Sequence, residues 1–452
     1  MEVRFIDLFS GIGGFRGGFE RACSEQGFRA NCVFSSEIKE RAVEVYKTNF
    51  GTNFVHGDIT QIASDDIPEF DVLLGGFPCQ AFSTAGKRKG FDDTRGTLFF
   101  EIQRILEHHQ PRAFILENVE GLVTHDRENT KEKIGKTLRV ILNNLRAMDY
   151  EVTWKVLNSL DFGVPQSRRR IFIVGAKRSK VSLSEFPEIS KPLGEILEKD
   201  VESEPLNISE KLMKMFSPEE LYGKAIKDRR GGENNIHSWQ IGLKGRVSKR
   251  QEKVLDKILR ARRNKKWAEQ KGIAWSDGMP LTLEEIKSFC NYSALEKDLE
   301  DLVTKGYLVM NHPKDFVHEK NGDIIKRVKR PRKDLPKGYN IVTGKLSFEI
   351  SNILDPGGFT PTLVATDIYK LAVLDGKNLR RLTKTELARL FGFDDDFQMN
   401  VKINTAYDLY GNSIVIPVAQ AISERLLQSE FLGKDLDFPI DDDQETFQLG
   451  LF

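Results

Sequence analysis

The chain has 452 residues, of which 39% are apolar and 30% charged, and its length predicts two or three domains of a globular protein. No apolar run approaches the ~20 residues of a membrane span, and the N-terminal sequence shows no secretory signal. The four cysteines have neither CxxC spacing nor a paired pattern, which argues against a zinc site or a disulfide framework. We therefore expect a cytoplasmic protein without a metal.

The formal net charge is only +1, but the charge is unevenly distributed. Residues 224–272 hold 16 Lys and Arg against 5 Asp and Glu, and residues 314–345 hold 10 against 4. Two basic segments in a near-neutral chain are typical of a module that binds a polyanion, although solvated helix faces give the same pattern.

Residues 1–175 alternate short apolar segments with longer amphipathic ones. The predicted strands are VRFIDLF, ANCVFSSE, DVLLGG, AFILENV, EVTWKVLNS and RRRIFIVGA. Predicted helices separate most of them, which indicates βαβ units and an α/β fold with a doubly wound, mostly parallel sheet. Ligands bind such sheets at the carboxyl ends of the strands.

The pattern changes after about residue 180. Residues 186–240 have weak periodicity, 248–270 predict a basic helix, and 281–310 predict two helices followed by a strand. Residues 311–360 contain several turn signals and are predicted to be rich in loops. The segments TKTELARLFGF and GNSIVIPVAQAISERLLQ predict two further helices.

Glycines at positions 11, 13 and 14 lie where the first predicted strand meets the first helix. Glycine lets backbone amides approach a ligand closely, and a helix N-terminus offers unpaired donors, although a tight packing turn gives the same pattern. Glu37 ends the second predicted strand and suits ribose hydroxyls. Asp58 is predicted to end a third strand, where it could accept from an adenine amine. Together these strand-end elements favour a nucleoside cofactor.

Cys79 follows the predicted buried strand DVLLGG and lies between Pro78 and Gln80. A lone cysteine is more often a buried structural thiol. Here Pro78 favours an extended exit from the strand, and the following AFSTAGKRKGFDDTRG, with its glycines and charges, is typical of a mobile loop. The pattern therefore favours a reactive thiol.

Glu117 and Asn118 follow the apolar residues of another predicted strand, where a carboxylate is costly unless it is paired or functional. Arg168, Arg169 and Arg170 begin the last predicted strand, and alternation sends Arg168 and Arg170 to the same side. Their guanidinium groups could converge on the site that the thiol and Glu117 share. A structural Arg–Glu ion pair explains part of this set but not the thiol.

Taken in chain order, the glycine loop, the strand-end Glu and Asp, GFPCQAFS, ENV, QSRRRIFIVG and GNSIVIPVAQAI resemble the DNA (cytosine-5)-methyltransferases of bacterial restriction–modification systems. The resemblance covers residues 5–175 almost continuously and resumes at about 360–425. It implies a Rossmann-like, S-adenosylmethionine-dependent catalytic domain over 1–185. It also implies an irregular α+β target-recognition domain with a basic helical insertion over 186–399, and a segment over 400–452 that returns to the catalytic domain.

The resemblance implies a covalent mechanism. The thiolate of Cys79 adds to carbon-6 of cytosine, and carbon-5 then attacks a methylsulfonium. Free cysteine is mostly protonated at neutral pH, and nearby Arg168 and Arg170 would favour the anion. Glu117 contacts ring nitrogen 3 and the exocyclic amine, Arg170 holds the carbonyl oxygen, and Asn118 supports the loop bearing the thiol. The implied catalytic set is Cys79, Gln80, Glu117, Asn118, Arg168 and Arg170.

S-adenosylmethionine is the implied cofactor, and no metal is expected. Phe9 would stack on adenine, Glu37 would bind the ribose, Asp58 the adenine amine, and the backbone of 11–14 the methionine part. The family often has an aromatic residue after the acid, where this chain has Ile38. The implied cofactor residues are Phe9, Ser10, Gly11, Ile12, Gly13, Gly14, Glu37, Ile38, Asp58, Ile59, Phe77, Pro78, Leu98, Asn412 and Ser413.

A thiol cannot reach carbon-6 inside a stacked duplex, so the resemblance implies that the target base is flipped out. The loop 80–96 would close over it, and the basic segments of the target-recognition domain would contact phosphates. A Thr-Leu pair near the end of that domain is matched by Thr362 and Leu363. The implied DNA-contacting residues are Ser83, Lys87, Lys89, Arg95, Thr362 and Leu363.

The expected partners are double-stranded DNA and a cognate restriction endonuclease of the same system. A monomer is expected, located in the bacterial cytoplasm and at the nucleoid through its substrate. Two alternatives stay open. One is a tRNA cytosine-5 methyltransferase with the same catalytic set, which the large basic region disfavours because RNA recognition usually targets unpaired loops. The other is a catalytically inactive DNA-binding regulator, which has no use for the thiol.

Overall fold

The computed structural model describes residues 1–51, 55–78, 98–127, 129, 132–203, 206–228, 234–276, 278–321, 324–342 and 348–434, without the side chains of 318–321 and 324–327. By its contacts the chain divides into two units. Unit 1 consists of Met1–Glu198, Pro356–Tyr369 and Leu382–Phe452, and unit 2 consists of Lys199–Asp355 and Lys370–Arg381. The predicted functional division at 185 and 399 stays a prediction.

The strands of the described chain are β1 Glu2–Leu8, β2 Arg29–Ser36, β3 Val72–Gly76, β4 Ala113–Val119, β5 Glu151–Asn158, β6 Arg169–Ala176, β7 Ala225–Ile226, β8 Asn235–Ile236, β9 Leu308–Asn311, β10 Lys314–Asn321, β11 Ile324–Pro331, β12 Gly338–Ile341, β13 Asn352–Ile353, β14 Leu371–Asp375 and β15 Asn378–Arg380. The α-helices are α1 Gly14–Glu25, α2 Glu40–Phe50, α3 Leu98–His109, α4 Lys136–Arg146, α5 Ser209–Met213, α6 Pro218–Leu221, α7 Lys249–Ala261, α8 Lys266–Lys271, α9 Leu283–Lys287, α10 Leu295–Thr304, α11 Lys384–Phe391, α12 Ile403–Gly411 and α13 Ile416–Leu426. None of these helices is long and apolar enough to cross a membrane.

Unit 1 is organised around a six-stranded sheet of order β2-β1-β3-β4-β6-β5. Strands β1 to β4 pair in parallel, whereas β6 is antiparallel to both β4 and β5. The first four residues of β3 and of β4 are buried, as expected for strands covered on both faces. The predicted α/β fold with a doubly wound, mostly parallel sheet is confirmed, and it carries an antiparallel edge.

The two faces of the sheet are covered by different helices because side chains alternate along each strand. Ile6 and Leu8 of β1 belong to the apolar cluster that α3 and α4 complete. Phe5, which directly precedes Ile6, faces the other layer and packs on Phe19 of α1 with ring centroids 4.9 Å apart. These contacts hold the glycine-rich turn after β1 against the sheet.

The C-terminal helix α13 packs closely on α1, and small residues permit the approach. A Cβ at Gly18 of α1 would lie 2.6 Å from the Cβ of Ala419, and one at Gly14 would lie 2.5 Å from the carbonyl oxygen of Ile414. Distances this short exclude any side chain at these positions. The segment before α13 therefore lies beside the glycine-rich turn.

Unit 2 has its own apolar core and a five-stranded sheet of order β15-β14-β13-β7-β8. The predicted basic helix over 248–270 is two helices, α7 and α8. Ser248 and Gln251 form a capping box that fixes the start of α7, and Val254 and Leu255 bury its apolar face. The predicted helix pair and strand over 281–310 correspond to α9, α10 and β9.

The structure adds to one prediction about local structure and contradicts another. Residues 311–360, predicted to be rich in loops, also contain the antiparallel ribbon of β10 and β11 and the strand β12, which pairs with β9. Asp58 does not end a third strand: in the described residues His56 makes only an isolated bridge to Ser36, and the carboxylate of Asp58 caps the short 3-10 turn Ile59–Gln61 by accepting from the amide of Thr60.

Candidate active site

Glu117 and Arg170 form an ion pair at the edge of the sheet where β4 ends. The antiparallel β6 begins there, and Arg170 lies opposite Val119 in the register. A residue at the start of β6 therefore lies close to residues at the end of β4. The Nε of Arg170 lies 3.0 Å from Oε1 of Glu117, and both side chains are largely buried. The predicted convergence of these two residues is observed, and the antiparallel pairing is its cause.

Burial and positive charge act on the Glu117 carboxyl in opposite directions. Removal from water raises its pKa, while the guanidinium groups of Arg170 and Arg168 lower it. The pKa of Arg168 is lowered to about 9, first by burial and then by the neighbouring charge of Arg170. The site therefore holds two guanidinium groups around one carboxyl in a poorly solvated environment.

The end of β3 lies directly beside Glu117. Gly76 pairs with Glu117 in the register, and a Cβ at Gly76 would lie 3.7 Å from Oε2 of Glu117. Next to it, the buried amide of Asn118 donates to the carbonyl oxygen of Phe77 at 2.9 Å. This bond fixes the backbone two residues before Cys79. The residues Cys79, Gln80, Ser83, Lys87, Lys89 and Arg95 lie outside the described residues, and their roles stay predictions.

Arg168 joins three backbone segments of unit 1. Its guanidinium donates to the carbonyl oxygens of Leu363 at 3.0 Å, Gly411 at 3.2 Å and Ser413 at 2.9 Å. The side chain is buried, and sequence reasoning, which paired it with the thiol, missed these bonds. Arg168 therefore holds the backbone of the C-terminal segment in place and also contributes a positive charge near Glu117.

The predicted DNA-contacting pair is held against the same anchor. Thr362 donates its hydroxyl to the carbonyl oxygen of Ser167 at 2.7 Å, and Leu363 accepts from Arg168. The side chain of Leu363 is buried, so only its backbone and the half-buried Thr362 could face a ligand. Their contact with DNA stays a prediction.

The carboxyl ends of β1 and β2 form a polar cradle around the glycine-rich turn. Phe9 and Gly11 both have positive φ, of 56° and 55°, which turns the backbone sharply. The amide of Gly11 donates to Oε2 of Glu37 at 2.9 Å, and Oε1 of Glu37 accepts from the amides of Ile38 and Lys39. A Cβ at Gly11 would meet nothing within 4 Å, so the turn faces open space.

Ser10 contributes a buried hydroxyl group to this cradle. Its Oγ is buried and has no hydrogen-bond partner in the described part of the chain, although its amide donates to the carbonyl oxygen of Ser36. A buried hydroxyl of this kind normally finds a partner. The apolar side chain of Ile38, which follows Glu37 in the sequence, is 71% exposed. An orphaned hydroxyl, an acid and an exposed apolar side chain fit a nucleoside-containing ligand.

The remaining predicted cofactor residues fall into two groups. Ile12, Ile59 and Phe77 are buried apolar side chains, and Leu98 begins α3 at the edge of the core. The others are glycines or polar or exposed residues. Gly13 and Gly14 are buried at the start of α1, against Phe50 and the segment before α13. Pro78 is exposed, Asn412 donates to the carbonyl oxygen of Asp408, Ser413 is buried and accepts from Arg168 through its carbonyl oxygen, and Asp58 caps its own turn.

Sequence reasoning missed Asp7, a fully buried carboxyl beneath the cradle. The hydroxyl of Tyr46 donates to its Oδ2 at 3.3 Å, and Oδ1 has no hydrogen-bond partner among the described residues. Burial raises the pKa of Asp7 to about 7, against the lowering effects of Arg16 and the Tyr46 hydrogen bond. A lone acid inside the apolar run VRFIDLF was the signal that could have identified it.

A sequence model of the C-5 cytosine-specific DNA methylases matches residues 3–428 of the chain, across both units. The chain belongs to this family. The prediction of a DNA (cytosine-5) methyltransferase is thereby confirmed at the level of the family.

Individual relatives are similar over nearly their whole length. The type II methyltransferase M.NlaIV of Neisseria lactamica is 53% identical over 428 residues, which cover 95% of this chain and 99% of that protein. M.NgoBV of Neisseria gonorrhoeae is 51% identical over the same shares. M.BanI of Aneurinibacillus aneurinilyticus is 40% identical over 95% of this chain and 96% of that protein.

Two solved structures share the fold at lower identity. A protein encoded within an E. coli prophage is 23% identical with a TM-score of 0.51, covering 96% of this chain and 100% of that one. The methyltransferase EhMeth of Entamoeba histolytica is 17% identical with a TM-score of 0.50, covering 94% and 98%. These likenesses extend the shared fold over almost the full chain.

Proposed function

We propose that this methylase transfers a methyl group from S-adenosylmethionine to carbon-5 of a cytosine in a specific duplex DNA sequence. The observation that carries the proposal is the buried Glu117–Arg170 ion pair beside the end of β3, since Cys79 follows that strand by three residues. The type II methyltransferases similar to this chain support a role in restriction–modification. The product would protect host DNA from a cognate restriction endonuclease.

The proposed mechanism begins with a target cytosine flipped out of the duplex. The thiolate of Cys79 bonds to carbon-6, and the electron pair of the broken ring double bond moves towards carbon-5 and the carbonyl. Glu117, whose pKa is raised by burial, donates a hydrogen bond or proton to ring nitrogen 3, and Arg170 stabilises the charge on the carbonyl oxygen. After methyl transfer, a base removes the proton from carbon-5. The thiolate then leaves as the ring double bond re-forms.

S-adenosylmethionine, when bound, supplies an electrophilic methyl group on a sulfonium. The residues proposed to hold it are those of the cradle after β1 and β2. Glu37 retains acceptor capacity for ribose hydroxyls beyond its three backbone hydrogen bonds, and the orphaned Oγ of Ser10 can pair with a polar group. Ile38 and Phe9 offer apolar contact for adenine, and Asp58 has a second carboxylate oxygen for its amine.

A Cys79→Ala variant tests the assigned nucleophile. The parent chain is expected to methylate duplex DNA and the variant to lose methylation while it retains DNA binding. Cys23→Ala, which removes a buried thiol of α1, is the matched control and should remain active. Equal methylation by Cys79→Ala and the parent would refute the nucleophile.

A covalent trap tests the addition step itself. Duplex DNA with 5-fluorocytosine at the mapped target should become covalently attached to the parent chain in the presence of cofactor, because fluorine cannot leave as a proton. No adduct with an otherwise active preparation contradicts the mechanism. Labelling of tRNA but not of duplex DNA in a parallel assay would overturn the proposed substrate in favour of the tRNA enzyme.

A further inference from the structure

Unit 2 contains an open groove along α7 with a cavity volume of about 360 Å³. Its basic wall is formed by four side chains of one helix, Arg250, Lys253, Lys257 and Arg260. The opposite wall carries Tyr292 and Cys290 from the segment between α9 and α10. This groove belongs to the basic helical insertion, for which the sequence predicts phosphate contacts without identifying the residues that make them.

The helical repeat explains why the cations share one wall. Positions 250, 253, 257 and 260 are three or four residues apart, so they lie on one face of α7. The adjoining face buries Leu255, Ile258 and Leu259 in the core of unit 2. Packing of the apolar face therefore fixes the basic row along the groove. The row is about 15 Å long, which equals the rise of about four base pairs along the axis of a duplex.

Most of this positive charge is not neutralised within the protein. Arg250 is held by two hydrogen bonds to Asp298, at 2.7 and 3.0 Å. Within the described residues, the ammonium group of Lys257 donates a hydrogen bond only to the carbonyl oxygen of Phe289, at 3.4 Å. Lys253 and Arg260 make no ion pair within the described part of the chain. Among the described residues that line the groove, Asp256 is the one acidic residue, so this lining carries an excess of positive charge.

The aromatic side chain in the groove is already engaged. The hydroxyl of Tyr292 donates to Asp298 at 2.7 Å, and the guanidinium of Arg250 lies 5.2 Å from its ring centroid. A platform for stacking unpaired bases needs a free ring face beside a basic groove. The arrangement therefore favours a ligand recognised through its phosphates over single-stranded bases.

We propose that the α7 groove binds the phosphate backbone of duplex DNA that flanks the target site. The inference rests on the proposed function for the identity of the ligand. Backbone contacts of this kind contribute affinity without reading sequence, so the groove would hold the duplex while other residues select the target. A protein partner and an unoccupied solvated face are the alternatives that the experiment separates.

The test removes three of the charges together, with Lys253→Gln, Lys257→Gln and Arg260→Gln in the full chain. Binding to a long duplex is measured by fluorescence anisotropy over a series of salt concentrations. Each lost phosphate contact lowers the slope of log K against log salt by about 0.9, so a fall of about 2 to 3 is expected. Lys214, Lys297 and Lys377, exposed in unit 2 and outside the groove, provide a matched triple Lys→Gln control that removes equal charge.

Three readouts keep the outcomes distinct. The groove variant should lose affinity equally on specific and non-specific duplexes, keep its kcat at saturating DNA, and match the parent on a duplex trimmed to the mapped target. An unchanged slope, or equal losses in the control triple, would overturn the proposal. Because binding is measured without turnover, failure of the parent to methylate DNA would refute the proposed function and leave the binding result for the groove intact. Matching unfolding curves for variant and parent establish that folding is unaffected.

Discussion

The Glu117–Arg170 ion pair has an exposed counterpart nearby, formed by Arg169 of β6 and Glu120, the residue that follows β4. Glu117 pairs with Arg170 in a largely buried position, and Glu120 pairs with Arg169 at the same 3.0 Å but with about half of each side chain exposed. The two ion pairs have similar geometry and differ in solvation. They therefore separate the effect of a buried carboxyl from that of an ordinary surface ion pair, which contributes little to stability.

The Glu117→Gln variant is expected to lower the rate of methyl transfer at least ~100-fold, because the amide keeps the shape but can neither deliver a proton nor carry charge. DNA binding should stay within a few-fold of the parent. Single-turnover methylation and anisotropy measure the two quantities. Glu120→Gln is the control and should leave both unchanged. Comparable rates for Glu117→Gln and the parent would remove Glu117 from the mechanism.

Arg168 is expected to act chiefly on stability. Arg168→Lys keeps a positive charge but cannot donate to three carbonyl oxygens at once, and each buried group left unpaired costs about 1–3 kcal/mol. Urea unfolding should show a lower free energy of unfolding than in the parent. The exposed Arg169→Lys should show no such change. A slower reaction with unchanged stability would instead assign Arg168 to the chemistry.

Asp7 makes stability depend on pH in a predictable direction. Its pKa in the folded chain is raised to about 7, so between about pH 4 and 7 the folded state binds more protons than the unfolded state. The contribution of Asp7 to the free energy of unfolding therefore falls as pH rises through this window. Because Asn cannot ionise, the free energy of unfolding of Asp7→Asn relative to that of the parent should rise with pH up to about pH 7, by as much as about 4 kcal/mol. Urea titrations of both proteins at several pH values measure this difference, and a constant difference would contradict the shift.

At the scale of elements, the contact between α1 and α13 provides a matched pair of glycines. A Cβ at Gly18 would lie 2.6 Å from Ala419 and 2.8 Å from the backbone of Gln420, whereas one at Gly17 would lie 3.2 Å from the flexible end of Ile416. Both residues lie inside α1, so alanine gains about 1 kcal/mol of helix propensity at either position.

Gly18→Ala is therefore expected to destabilise the chain by about 1–3 kcal/mol despite this gain, because the two helices must separate. Gly17→Ala should be neutral or stabilising. Denaturant unfolding compares the two variants under identical conditions. If Gly18→Ala is as stable as Gly17→Ala, the close packing of α13 on α1 is incorrect.

The elements of the sheet could be predicted because their signals are local. Strands β1 to β6 each show an apolar run between turn residues, and the glycine-rich turn follows β1 in the sequence. The antiparallel direction of β6 was not in these signals, since strand direction depends on pairing with distant residues. The bonds of Arg168 were missed for the same reason, because their acceptors lie almost 200 or more residues away. The β10–β11 ribbon was missed because Lys and Arg replace much of the apolar alternation that indicates a strand.

At the scale of the whole molecule, the net charge of +1 conceals three regions of different sign. The basic segments 224–272 and 314–345 carry the charge that could attract DNA. Residues 435–452, which lie outside the described residues, hold six Asp and Glu and no Lys or Arg. An acidic segment of a protein that binds a polyanion weakens this binding even without direct contact, because its negative charge contributes to the electrostatic potential of the whole protein.

Removal of residues 435–452 is therefore expected to strengthen non-specific DNA binding several-fold at low salt, because the formal net charge rises from +1 to +7. The effect should shrink above ~0.15 M salt, where the Debye length falls to about 8 Å. Methylation of the specific target should continue, since the family match ends at residue 428. A variant with the six acids replaced by Asn and Gln keeps the length and should behave like the truncation. If only the truncation changes binding, the effect comes from the segment itself and not from its charge.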